Sequence, residues 1–441
     1  MERSHKKLNS FEKMVCASCF LVYFCWASIQ PFNYAPDELM RYDVTRFLFD
    51  HNRLPVGNEL VSHWGFSYAH YPAVLCSQLG YVFMKIASLF TKNDNMLLLA
   101  ARMVSVFCGT GTVYFNIKAS KQLFYSPARW VLIVLVSALP QAVFLYSYVN
   151  NDSVAVFGTA MIFYAWTLAM VEGWDYKNAT LLALGISVCA LAYYNSYTWI
   201  LCSMIFFLAT SFIREKEHMG KTIKLAAYIV AVVLLLISYS FIRHLVLYND
   251  LLGFKTCAYY GELYAIHELK PSVRTSLAEM GISFSTMLFG TGYNWFEISW
   301  KSFIGTFGYM TEWCPEIVYI IVTGIVFLGC IFALTKYLKS MIGQLDKNRM
   351  QSYFHLCLAI CAVVTVILSI IQSYYRDFQP QGRYCYPALI PLAFATAKGY
   401  EYLLSKIRKN EHGYAIITLV CVAMICILLF VFFAVFLPSL K

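Results

Sequence analysis

Charge is what this chain has least of. Only 13% of its 441 residues are Asp, Glu, Lys or Arg, and 60% are hydrophobic, whereas a soluble domain carries about 25% charged residues. Long uncharged apolar runs recur from end to end, which excludes a soluble globular class and predicts an all-α polytopic membrane protein. The chain also lacks a phosphate loop of the form G-x-x-x-x-G-K-[ST], an internal repeat, a low-complexity tract and any Pro/Gly-rich linker. Without the phosphate loop, and with inward loops too short for a nucleotide-binding domain, ATP-driven transport by this chain alone is excluded. The other absences predict one integrated membrane domain over residues 1–441. The net charge of +10 is scattered over short loops, so it reports orientation and no nucleic-acid partner. Most of the 15 cysteines lie inside apolar runs, where a thiol behaves as a small hydrophobe. Cys16 and Cys19 have C-x-x-C spacing with no second pair, which favours helix packing over zinc or redox chemistry. Cys257 and Cys314, outside the apolar runs, leave a disulfide open.

Eleven segments are apolar enough to span: 14–31, 97–117, 130–149, 153–171, 179–195, 197–213, 223–243, 316–335, 352–373, 384–400 and 413–437. A twelfth run, 69–90, is long enough but contains His70, Pro72, Gln78 and Lys85. Loop charge decides its fate. If 69–90 stays on one side, the basic residues around 118–129, 177, 214–224, 336–349 and 398–409 all face inward, and the short outward loops hold only Arg376 and Arg383. If it crosses, that bias inverts. The positive-inside rule therefore predicts a juxtamembrane or re-entrant helix at 69–90. The basic start (Arg3, Lys6, Lys7, Lys13) and the apolar run Met14–Ile29 predict a retained signal-anchor with the N-terminus in the cytoplasm of a plasma-membrane protein. Two large loops, 32–96 and 244–315, then lie outside, the second rich in aromatics.

The notable polar groups fall on this outer side. Asn33-Tyr34-Ala35-Pro36-Asp37-Glu38-Leu39-Met40-Arg41-Tyr42 follows the first apolar run, Asn150-Asn151-Asp152 marks a later boundary, and Tyr374 to Arg383 precedes a late helix. An exposed acidic pair is ordinarily inert. A partly desolvated carboxylate at a membrane boundary beside Arg41, Arg46 and Arg53 is suited to act as a general base for a hydroxyl. An arginine at such a boundary suits a phosphate, since an anion offsets its desolvation. Snorkelling to lipid head groups is the plain alternative for Arg383, and helix capping for Asn151 or Asp152.

Taken in order, the apolar helix, Pro36-Asp37-Glu38, His70-Tyr71-Pro72, Arg102, Asn150-Asn151-Asp152, the stretch Trp300 to Met310 and Gln381-Gly382-Arg383-Tyr384 resemble the GT-C superfamily of membrane glycosyltransferases. That superfamily includes protein O-mannosyltransferases and lipid A aminoarabinose transferases, and the likeness is nearer to a bacterial, largely uncharacterised branch. The resemblance implies an inverting transfer of a sugar from a polyprenyl-phosphate carrier to a glycan or lipid-linked acceptor on the outer face. It implies Asp37 as base, with Glu38 as neighbour or alternative. Arg383 would hold the donor phosphate, with Arg102, His70 and Arg376 as further candidates, and Asp152, Asn151, Arg41, Gln381 and Tyr384 would bind substrate. Arg41 stands where relatives often have His. Asp37, Glu38 and Asp152 leave a Mg²⁺ or Mn²⁺ site open, but no metal or other cofactor is favoured, because relatives using monophosphate carriers generally need none. The competing readings are a lipid-linked glycan flippase and a polysaccharide ligase or polymerase; the 37–38 carboxylates favour the transferase.

Overall fold

The computed structural model describes residues 7–214, 219–342, 349–407 and 409–440. Arg3, Lys6, Lys216, Lys347 and Arg408 of the basic segments lie outside the described residues. Asn9 starts the first helix through a capping box with Glu12, each side chain accepting the other's backbone N–H at 2.8 and 2.9 Å. The helix, α1, runs Ser10–Ile29. Buried Glu12 then takes Lys121 at 2.7 Å and Arg129 at 2.9 Å, joining the starts and ends of three helices at one end of the bundle.

Two short helices follow α1: α2 (Glu38–His51) and α3 (Leu75–Ser88). The apolar run 69–90 is therefore not one helix. A single 3₁₀ turn covers Tyr68–His70, the chain is extended before Pro72 as a proline requires, and α3 has 14 residues. At 1.5 Å per residue that is about 21 Å, less than the roughly 30 Å of a hydrocarbon core.

The bundle continues with α4 (Asp94–Leu123), α5 (Arg129–Ala138), α6 (Pro140–Leu145), α7 (Asn151–Glu172), α8 (Tyr176–Ala192), α9 (Tyr197–Arg214) and α10 (Met219–Tyr248). The predicted span 130–149 is thus broken. Leu139 is extended (φ −64°, ψ 124°) and Pro140 starts a new helix, because proline lacks the N–H and disfavours a helical residue before it. The segment after α10, expected from 244, begins at 249 and holds α11 (Phe254–Tyr264), α12 (Phe284–Phe289), α13 (Trp295–Ile304) and a two-stranded antiparallel hairpin. In that hairpin β1 (Thr306–Phe307) pairs with β2 (Glu312–Trp313), Thr306 opposite Trp313. The chain closes with α14 (Glu316–Ile342), α15 (Arg349–Tyr375), α16 (Leu389–Leu404) and α17 (Asn410–Val431). The expected span 384–400 begins as a 3₁₀ segment, Gly382–Ala388, containing Pro387, and only then becomes α16. Beyond α17 the helix loosens into a π-turn at Phe432–Phe436.

Eight described helices are long and apolar enough to cross a membrane, and α5 and α8 are shorter apolar helices. The expected count of eleven therefore does not appear as eleven continuous spanning helices. Close helix packing relies on small residues, as it does in lipid: a Cβ on Gly399 of α16 would lie 1.7 Å from the Gly329 carbonyl oxygen of α14. All fifteen cysteines are free, Cys257 and Cys314 included. An aromatic cluster underlies the end of the bundle that matters below. Trp26 stacks on Phe436 at 4.0 Å, Phe144 meets Phe307 at 5.3 Å, and the Tyr34 hydroxyl reaches Ser439 at 2.6 Å. The last turn of the chain thereby braces the segment that carries Asp37.

Candidate active site

Asp37 sits between Pro36 and α2 with φ 63° and ψ 3°, a left-handed conformation that Asp tolerates better than most residues. An Asp immediately before a helix ordinarily caps it. This one makes no cap bond; its Oδ2 accepts Nη2 of Arg383 at 2.7 Å, with Nη2 of Arg41 at 4.0 Å. Burial pushes its carboxyl pKa up, but the charges of Arg383 and Arg41 outweigh burial and hold it below the ordinary 3.8. The Asp37 side chain keeps 28% exposure while that of Arg383 keeps 5%, so the carboxylate is the more accessible member of the pair.

Arg383 is aimed by its neighbours. Its Nε donates to Gln381 Oε1 at 2.7 Å and its Nη2 to the Tyr384 hydroxyl at 3.0 Å, and that hydroxyl donates to Gln379 Oε1 at 2.6 Å. Gln379 Nε2 donates onward to Asp377, which lies 3.6 Å from Arg274 of the segment between α11 and α12. Gly382 allows the turn to press on α13: a Cβ there would lie 2.1 Å from the Phe303 nitrogen, and its N–H donates to Ser302 Oγ at 2.6 Å. The Trp300–Met310 stretch thus supplies the wall against which the Arg383 turn is set. It also reaches the Asp37 segment directly, since Tyr309 donates to Asn33 Oδ1 at 2.6 Å.

Glu38 and Arg102 have a different environment. Arg102 gives Nε and Nη2 to the two Glu38 oxygens, both at 2.8 Å, and its remaining N–H groups to the carbonyls of Ala27, Gln30 and Pro31. Glu38 also accepts the N–H groups of Asn33 and Val149. Every Arg102 donor is used within the protein, and Glu38 is fully buried. This pair ties the C-terminal end of α1 to α2, α4 and the turn before α7. It leaves no guanidinium N–H for a phosphate and no open face for a reacting hydroxyl.

His70 is buried and engaged on both ring nitrogens. Nδ1 accepts the Ser67 N–H at 3.2 Å, which leaves Nε2 to donate to the Gly57 carbonyl at 2.7 Å. Burial pushes its pKa down, in keeping with a neutral ring. It stacks on Tyr260 at 4.4 Å, joining the segment before α3 to α11. Arg376 is exposed, in Coulombic range of Glu279. Asn151 donates to the Ala73 carbonyl at 3.1 Å. Helix α7 is capped by Asn150, whose Oδ1 accepts the Ser153 N–H at 2.7 Å, not by Asn151 or Asp152 as the sequence suggests. Asp152, released from capping, is 1% exposed, and neither carboxylate oxygen has a hydrogen-bond partner.

Asp37, Arg383, Arg41, Asp152, Gln381 and Tyr384 are therefore brought together, while His70 and Arg376 stand apart. Three tyrosine and glutamine neighbours escaped the sequence reading: Tyr68, whose ring lies 4.6 Å from the Arg41 guanidinium; Tyr148, fully buried beside Arg383 and Pro36; and Gln379. Among the described residues no three His, Cys, Asp or Glu side chains gather as a metal cluster.

The architecture matches solved membrane proteins at low identity. ArnT from Cupriavidus metallidurans, bound to undecaprenyl phosphate, is 13% identical with a TM-score of 0.55, over 96% of this chain and 71% of that one. The Archaeoglobus fulgidus oligosaccharyltransferase in its apo form is 11% identical with a TM-score of 0.57, over 95% of this chain and 55% of that one. The same organism's AglB, in complex with an inhibitory peptide and a dolichol-phosphate, is 12% identical with a TM-score of 0.52. The chain thus spans little more than half the length of the archaeal proteins. At these identities the likeness is one of fold, and the fold is GT-C-like, as the motif order implies. The chain belongs to the family of predicted membrane proteins DUF2142, whose model matches residues 43–393; Asp37 and Glu38 lie just before the matched stretch. No curated protein matches it.

Proposed function

We propose that this protein is an inverting glycosyltransferase that moves a sugar from a polyprenyl-phosphate carrier to a hydroxyl of a glycan or lipid-linked acceptor on the extracytoplasmic face. The observation that carries the reading is the pairing of Asp37 with Arg383: a partly exposed carboxylate 2.7 Å from a buried guanidinium. A carboxylate next to a phosphate-binding arginine supplies both halves of the reaction. Arg383 takes the donor phosphate, which loosens its hold on Asp37 and raises the basicity of that carboxylate. Asp37 removes the acceptor hydroxyl proton as the acceptor oxygen bonds to the anomeric carbon from the far side. The bond from that carbon to the phosphate oxygen breaks, and the carrier phosphate leaves with its charge against Arg383. The carrier class is drawn from the undecaprenyl phosphate and dolichol-phosphate bound to the two solved proteins of this fold. The arginines supply the charge that a resident metal would otherwise provide. A flippase would need a polar path through the bundle, whereas this polar cluster lies at one end of it.

Asp37→Asn keeps the shape and removes the base. A general base contributes about 10²–10⁴-fold in rate, so we expect that loss in sugar transfer from radiolabelled polyprenyl-phosphate sugar in membranes holding normal amounts of the variant. Transfer at the parental rate in that variant would sink the assignment.

A further inference from the structure

Buried polar side chains without a partner crowd the floor beneath Asp37. All three guanidinium nitrogens of Arg41, both carboxylate oxygens of Asp152, the Asn195 amide oxygen and the Tyr148 hydroxyl lack a hydrogen bond within the protein. Arg41 and Asp152 are each 1% exposed and Tyr148 is fully buried. Asp152 lies in Coulombic range of Arg383, Arg41 and Asp37, with the Asn195 amide as a neighbour. Above this floor stand half-buried tyrosines. The Arg41 guanidinium lies 4.6 Å from the ring centre of Tyr68 and 5.4 Å from that of Tyr193, and Tyr193 and Tyr384 are 6.3 Å apart. Buried polar groups are normally satisfied, and here unmade bonds of both kinds, donors and acceptors, are concentrated in one place.

We propose that the Arg41–Asp152 pair, with Asn195 and Tyr148, is the subsite that binds the ring hydroxyls of the transferred sugar, and that this sugar is electrically neutral. The inference rests on the transferase reading above. A vicinal diol donates to a carboxylate and accepts from a guanidinium, which fits a buried acid and a buried base that lie in Coulombic range of each other without a direct bond. The Tyr68 and Tyr193 rings offer flat apolar surface to the C–H face of a sugar. Charge accounting sets the class. Asp152 is balanced by Arg41, and Arg383 is committed to the phosphate. An amino sugar would find no unpaired carboxylate on the floor, since Asp37 must stay free for the acceptor. A uronic acid would find no spare guanidinium.

The test uses the full chain in nanodiscs and native mass spectrometry. The probes are undecaprenyl phosphate alone and the same lipid carrying a neutral hexose, an amino sugar or a uronic acid. The neutral hexose lipid is expected to bind at least tenfold tighter than the bare lipid, and the two charged-sugar lipids within threefold of it. Because one charge removed leaves the other buried and unpaired, the variant is the double Arg41→Gln, Asp152→Asn. It is expected to erase the hexose increment, so that the hexose lipid and the bare lipid bind that variant equally. Tighter binding of either charged sugar, or a hexose increment that survives the double variant, would overturn the subsite. If no lipid binds, the carrier reading fails by itself. Methyl glucopyranoside then probes the subsite by saturation-transfer NMR: a signal lost in the double variant supports it, and no signal in the parent overturns it.

Discussion

Asp37 and Glu38 are neighbours in the chain and are divided by their partners. Glu38 is sealed with Arg102 in a network whose donors are all used. Removing one member of such a pair leaves a buried charge uncompensated, at about 3–5 kcal/mol. Arg102→Ala is therefore expected to lower thermal stability in detergent by that order, with Asp37→Asn close to the parent, and the inverse ranking would show that Arg102 is not the brace. Asp37 carries a pH signature as well. Its pKa in the folded protein lies below the ordinary 3.8 because Arg383 and Arg41 outweigh burial. The stabilisation it gives is thus present in full above the unfolded value, about 3.9, and is lost as pH falls through the folded value. The protonated-carboxyl infrared band that disappears in Asp37→Asn should appear only below about pH 4, and at higher pH in Arg383→Gln, where burial remains and the larger charge is gone. Asp37, Asp152 and Arg383 are legible in the sequence as candidates because charge is rare here and each stands at an apolar boundary. Tyr68 and Tyr148 are not, since among 33 tyrosines neither has a local feature to mark it. The sequence also could not divide Glu38 from Asp37, because the division depends on an arginine 64 residues away.

At the scale of elements, the site depends on helices that stop early. Leu139-Pro140 breaks one predicted span against Gly305, and Pro387 lies in the 3₁₀ segment, itself containing Arg383, that opens another. Apolar periodicity reads through such breaks, because the residues on either side are equally hydrophobic; the prolines were the legible warning. The α7 cap was misplaced by one residue for a similar reason, since Asn150, Asn151 and Asp152 all suit an N-cap and only the fold selects Asn150. Gly382 offers the sharpest element-scale test. A methyl group there would meet the α13 backbone at 2.1 Å, so the turn must lift away from α13 and carry Arg383 with it. Overpacking of this kind costs about 1–3 kcal/mol. Gly382→Ala is expected to stay folded, as judged by size-exclusion profile, while losing at least tenfold in affinity for undecaprenyl phosphate. Unchanged affinity would mean that the α13 wall does not set the position of Arg383.

The whole molecule has two unlike ends. One gathers Asp37, Arg383, Arg41 and Asp152; the other has Glu12 clamped by Lys121 and Arg129, and Lys398 bonded to the Leu123 carbonyl and Glu401. The fold class was legible from hydropathy alone, and the order of the boundary motifs identified the GT-C-like arrangement before any coordinates. Which end faces outward rests on loop charge. With α3 only 14 residues long, the expectation is that the segment from 30 to 93 begins and ends on the same side, with the basic loops together on the other. Asn58 and Ser405 are both exposed, Asn58 between α2 and α3 and Ser405 just past α16. In intact cells, a membrane-impermeant maleimide should modify Asn58→Cys above the background of the parent chain. Ser405→Cys should react only after permeabilisation. The reverse pattern would turn the polar cluster toward the cytoplasm and remove the extracytoplasmic acceptor from the proposed reaction. Equal labelling of both positions in intact cells would mean that the segment holding α3 crosses the membrane after all.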